Sequence, residues 1–236
     1  YTSLRLEGGM PEQKSFSEPA NKAQIAELIA ANAYDAKIMP ELEAYVDAQV
    51  KANAYDFDAN RHLLQQYKNS PDSAKTDFVE KILLLALLQL PQKHFLACTY
   101  LLSSKLREED TVKRLLKLHS LLQVGQFKKF WAEVSDAKTR AVVDKVPNFD
   151  SFVRRFMASA VADTYQSIPV KVLSEHVNLS DKALDSWVAE LGWTQATAAG
   201  VKVVTIPGEG LAPRTSRTEK IPLNDISSLF MNMTRS

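Results

Sequence analysis

The stretch SDKALDSWVAELGW, Ser180 to Trp193, decides how the C-terminal part of this chain folds. Leu184, Trp187, Val188 and Leu191 recur at i, i+3, i+4 and i+7, which gives one apolar face on an amphipathic helix. Asn178-Leu179-Ser180-Asp181 supplies a turn and a cap before that helix, and Gly192 stops it. Upstream, Pro169–Val177 reads as a short helix and Phe149–Gln166, after Pro147-Asn148, as a longer one. Downstream, Trp193-Thr194 and Val201–Ile206 alternate as strands around Ala199-Gly200, and the hairpin closes at Pro207-Gly208. Three helices followed by a small hairpin make a winged helix. Its third helix, Ser180–Leu191, holds the position that enters a DNA groove in helix-turn-helix proteins.

A groove-reading helix needs Arg, Lys, Asn or Gln on its exposed face. The outward residues here are Asp181, Lys182, Asp185, Ser186 and Glu190, which would set three acids against a phosphate backbone. The module is therefore expected to dock protein, with Trp187, Asp185 and Lys182 on the third helix and Lys202 on the wing as candidate contacts. Trp187 is also expected to anchor that helix in its core. Arg154, Arg155 and Lys171 are close in sequence and form the candidate for a weak RNA contact.

The chain ahead of this module reads as helix. It has only seven glycines in 236 residues, and apolar residues recur at three- and four-residue spacing behind Asp, Asn or Ser. Asn21–Ala33, Glu41–Asn53, Asp58–Lys68, Lys75–Leu90, Gln92–Lys105, Glu108–Val124 and Phe127–Ala137 are the expected elements. The pentapeptide ANAYD occurs at Ala31–Asp35 and again at Ala52–Asp56. Each copy falls between two helices, where Asn and Asp satisfy terminal amides and Tyr packs into the joint, so it marks a corner. The spacing of the copies fits one helix plus one turn, as in a stack of short antiparallel helices in the style of HEAT repeats.

The core of the stack is legible. Asn60, Leu63, Leu64 and Tyr67 share one helical face, as do Val112, Leu115, Leu116, His119 and Leu122. Asn60 and His119 intrude on these apolar stripes, and a lone His in such a stripe is expected to be a hydrogen-bonded core group rather than a ligand. The apolar run Ile82–Leu88 falls short of the roughly 20 residues needed to span a bilayer and reads as a buried helix.

Composition narrows the function. At this length a chain buries roughly 70% of its unfolded surface and needs no covalent staples. One cysteine, Cys98, excludes an internal disulfide framework and fits a reducing cytosol or nucleus. With 29 basic and 28 acidic residues there is no global field to draw the chain onto nucleic acid or an anionic membrane. His62, His94, His119 and His176 lack metal-ligand spacing, and Gly208-Glu209-Gly210 has no phosphate-loop context. No catalytic, cofactor or metal site is expected.

The residues also carry a resemblance. Tyr55-Asp56, Ala59-Asn60, Leu64, Tyr67 and Pro71, then Phe127, Phe130 and Trp131, resemble signatures of the k-subunit family of eukaryotic translation initiation factor 3. Val153-Arg154-Arg155-Phe156, Thr164–Ile168, Leu179–Asp181, Leu184, Trp187, Gly192-Trp193, Glu219–Ile221 and Ser227-Ser228 follow that pattern in order. The similarity spans roughly residues 38 to 230, with departures before residue 38 and over Pro207–Arg217.

The resemblance implies a non-catalytic, cytoplasmic scaffold subunit related to the PCI proteins. It would pair with subunit l through the winged helix, at the edge of a complex that binds the small ribosomal subunit. The expected organisation is an N-terminal extension at 1–37, a HEAT-like domain at 38–146, a winged helix at 147–207 and a tail at 208–236. In the tail Ile226, Leu229 and Phe230 lie on one face of a helix at Asp225–Met233, expected to form against a partner or the body of the protein. Two other readings stay open: a PCI-type subunit of the proteasome lid or signalosome, and a free-standing winged-helix nucleic-acid binder.

Overall fold

The computed structural model describes residues 21–32, 35–198 and 200–207. Among these residues nine α-helices come first: α1 Lys22–Ala31, α2 Met39–Ala52, α3 Phe57–Asn69, α4 Thr76–Leu87, α5 His94–Leu101, α6 Ser104–Glu108, α7 Asp110–Gln123, α8 Phe127–Val134 and α9 Ala137–Val143. Then follow α10 Phe149–Thr164, β1 Ser167–Pro169, α11 Val170–Val177, α12 Asp181–Glu190, β2 Thr194–Ala198 and β3 Val201–Thr205. The chain is mainly α-helical with one small antiparallel sheet, and the order from α10 onward is that of a winged helix. The tail residues Ile226, Leu229 and Phe230 lie outside the described residues.

Three elements differ from the sequence reading. Gln92–Lys105 is not one helix: Leu102 and Ser103 are extended (ψ 135° and 159°), Leu102 is buried, and the Ser103 hydroxyl accepts from the Leu106 amide to begin α6. The helix from Phe127 stops at Val134, and Asp136 caps a separate α9 by accepting from the Thr139 amide. The sheet has a third strand, β1, in the order β1-β3-β2.

Helix α4 runs through the centre of the stack. Ile82 to Leu87 are each at most 1% exposed, because α2, α5 and α7 cover α4 on several sides. One continuous apolar core begins at Ile38 and ends at Ile206, so the stack and the winged helix share it. Helix α10 joins the two, burying Phe149, Val153, Met157, Ala158 and Val161.

Asparagine makes the corners of this glycine-poor chain. Among the described residues every non-glycine with positive φ is an asparagine: Asn21, Asn53, Asn148 and Asn178. The second ANAYD copy behaves as a corner in full. Asn53 ends α2 in the left-handed region, Ala54 is wholly buried, and Asp56 caps α3 by accepting from the Asp58 and Ala59 amides. Behind it the Gln49 and Asn60 side chains exchange two amide hydrogen bonds of 3.0 and 3.1 Å, while the Gln49 side-chain Oε1 also accepts from the Asp56 backbone amide. In the first copy Asn32 ends α1 and Asp35 accepts from the Lys37 amide.

Candidate docking surface of the winged helix

The sheet has two dissimilar faces, and its register says which residues lie on each. β3 pairs with β1 at Ser167↔Thr205, Ile168↔Val204 and Pro169↔Val203, and with β2 at Thr194↔Thr205, Gln195↔Val204 and Ala196↔Val203. Antiparallel partners point to the same side and neighbours along a strand to opposite sides. Ile168 and Val204 are fully buried, so their side faces the helices, and Gln195 on that side donates to the Asp185 carboxylate of α12 at 2.7 Å.

The opposite side carries Ser167, Pro169, Thr194, Ala196, Val201, Val203 and Thr205. No charged residue is among them, and all except the half-buried Val203 are exposed, Val201 by 53%. A face that is open to water yet uncharged is the surface a polypeptide can cover cheaply, since no ion has to be desolvated. It offers no cation to a phosphate.

The two sheet edges also differ. β1 is three residues long and ends in Pro169, which has no N–H to donate. β2 is five residues, TQATA, without proline or charge, and among the described residues no strand pairs with its far side. It lacks the devices that keep an exposed edge from accepting another strand.

The residues singled out in the sequence take different places. Lys182 and Asp185 on α12, Lys202 on β3 and Lys171 on α11 are exposed. Trp187 is half-buried, with its ring edge-on to Trp193 at 5.9 Å, and the helix is anchored by Leu184, Val188 and Leu191, each at most 2% exposed. Arg155 is half-buried.

Arg154 does not present its charge as a basic surface residue would. Its Nε donates to the Val177 carbonyl at 2.9 Å, its guanidinium stands 5.0 Å from the Trp131 ring centre, and burial lowers its pKa. Lys171, Arg154 and Arg155 therefore do not act as three equivalent cations. The sheet face escaped the sequence reading, although its signal was there: alternate residues of TQATA and VKVVT form uncharged rows.

No group of His, Cys, Asp and Glu is arranged to hold a metal ion among the described residues, and none of their helices is long and apolar enough to cross a membrane. Cys98 is fully buried, and burial pushes its thiol up to about 12, so it is a poor nucleophile.

The chain is 30% identical over 211 residues to eukaryotic translation initiation factor 3 subunit K of Homo sapiens, covering 89% of this chain and 95% of the relative. The Danio rerio subunit K gives 30% with coverages of 89% and 94%, and that of Culex quinquefasciatus 30% with 84% and 88%. A match over 211 of 236 residues necessarily takes in part of the segment before residue 38, which the sequence reading had set apart from the family. The model of the CSN8/PSMD8/EIF3K family matches residues 73–210, from just before α4 to just past the end of the wing. This chain belongs to the CSN8/PSMD8/EIF3K family.

Proposed function

We propose that this chain is a non-catalytic scaffold subunit of eukaryotic translation initiation factor 3, acting in the cytoplasm. It docks other subunits, chiefly subunit l, and through the assembled complex supports initiation on the small ribosomal subunit. The observation that carries the docking part is the uncharged, exposed sheet face of the winged helix beside the open edge of β2. A strand or apolar helix of a partner fits that surface, whereas a phosphate backbone gains little from it. Trp187, Asp185 and Lys182 on α12 and Lys202 on β3 lie on the helix side of the sheet, away from this face, and like the tail residues Ile226, Leu229 and Phe230 they are assigned to partner contacts on sequence grounds.

The family name joins EIF3K with CSN8 and PSMD8, and the curated relatives at 30% identity over most of the chain favour the first of these. Affinity capture of the tagged chain from cell extract, read by mass spectrometry, separates the readings. Initiation factor subunits with subunit l among them are the expected companions. Recovery of proteasome-lid or signalosome subunits in their place would overturn the assignment. The nucleic-acid reading is tested by titrating the purified chain with RNA and duplex DNA at low and high salt. Weak binding is expected, and tight, steeply salt-dependent binding would contradict the proposal.

A further inference from the structure

We propose that Trp131 and Arg154 are positioning residues that fix the angle at which the winged helix presents its sheet. This rests on the docking reading only for its purpose; the geometry stands by itself. A helix leaves its last carbonyls without partners inside the helix. At the end of α11 two successive ones are taken by side chains of other elements. Trp131, on α8 of the stack, donates its indole N–H to the His176 carbonyl at 2.8 Å, and Arg154, on α10, donates to the next carbonyl, Val177. The guanidinium lies over the indole, so the donors brace one another, and the Phe127 ring stands edge-on to His176 at 5.5 Å. The carbonyl end of α11 is the negative end of its dipole, which favours the arginine charge that burial disfavours.

Connectivity gives this clamp its effect. The rest of the winged helix continues directly from its first helix, α10, and packing against α10 alone would leave rotation about that helix poorly defended. The contact from α8 to the end of α11 supplies a second, off-axis anchor. Its specificity lies in planar donors: a lysine at 154 keeps charge but not the stacked fork, and a phenylalanine at 131 keeps the ring but not the donor. The neighbouring Lys128–Glu175 pair, 3.3 Å apart with Lys128 78% exposed, contributes little to holding the angle.

The test uses the full chain with spin labels at Ser120 on α7 and Ser186 on α12, both exposed, and reads the distance distribution between them. The parent protein and Lys128→Ala are expected to give one narrow distribution. Trp131→Phe and Arg154→Lys are expected to broaden and shift it while the circular dichroism stays helical; should Trp131→Phe not fold, Arg154→Lys carries the test. Distributions as narrow as the parent's in a folded variant would overturn the proposal. The experiment needs no partner, so a failure to bind subunit l would sink the docking reading while leaving this result to stand or fall separately.

Discussion

Asn60 shows how a polar side chain earns a place on an apolar stripe. It is fully buried and exchanges two hydrogen bonds with Gln49, whose oxygen also holds the Asp56 amide. Asn60→Ala would leave the buried Gln49 N–H without its acceptor, while the Gln49 side-chain oxygen keeps the Asp56 amide, and is expected to cost about 1–3 kcal/mol in urea unfolding; the same substitution after Gln49→Ala should cost less, because the partner is already gone. Trp187 is half-buried, so Trp187→Ala is expected to cost about 1–2 kcal/mol, below the roughly 3–5 kcal/mol of Phe130→Ala, whose ring is wholly buried. His119 stacks on Phe95 at 4.1 Å and His94 on Phe57 at 4.2 Å, and burial lowers the pKa of both, as it does for His62 and His176. The folded state keeps these rings neutral where the unfolded chain takes up protons. Stability is therefore full above the ordinary histidine pKa of about 6.5 and falls as pH drops through and below it. Urea midpoints at about pH 7.5 and about pH 5.5 check this, and a midpoint that rises in acid would contradict it. Asn60 was legible in the sequence as a polar intrusion on an apolar stripe, but its partner Gln49 was not, because the two lie on different helices. Arg154 was not, because an arginine pair on a helix looks the same whether it meets water or a carbonyl from another element.

Among the elements, the long amphipathic helices and α12 were readable from periodicity, and α12 ends at the left-handed Gly192 (φ 69°) as expected, although Ser180 at its start makes no side-chain cap hydrogen bond. Helix α9 was not: its seven residues place Val142 and Val143 side by side at the end, so no stripe shows, and Asp136 passes for the tail of α8. Strand β1 was missed because three residues ending in proline have no strand pattern of their own; β3 gives them one by pairing. The sheet is also where a docking prediction belongs. Ala196→Glu on the outer face leaves the buried side untouched and is expected to preserve the melting temperature while weakening capture of initiation factor subunits. A drop in melting temperature of many degrees would mean that this face is covered within the chain itself.

At the scale of the whole molecule, one apolar core from Ile38 to Ile206 runs through both the stack and the winged helix. Heat unfolding is expected to give one transition, coincident by circular dichroism and tryptophan fluorescence, since Trp131 sits in the stack and Trp187 and Trp193 in the winged helix. Two separated transitions would show that the clamp at α11 joins domains that fold apart. The sequence could order these parts along the chain, yet not reveal that they share a core, because the contact between α8 and α11 joins residues some 45 positions apart. We propose that the uncharged sheet face takes a protein partner. Its most direct test is calorimetric titration of purified subunit l into the parent chain and into Val201→Glu. Saturable binding to the parent is expected, with a loss of at least about tenfold, about 1.4 kcal/mol, in the variant. Equal binding by both proteins would contradict it.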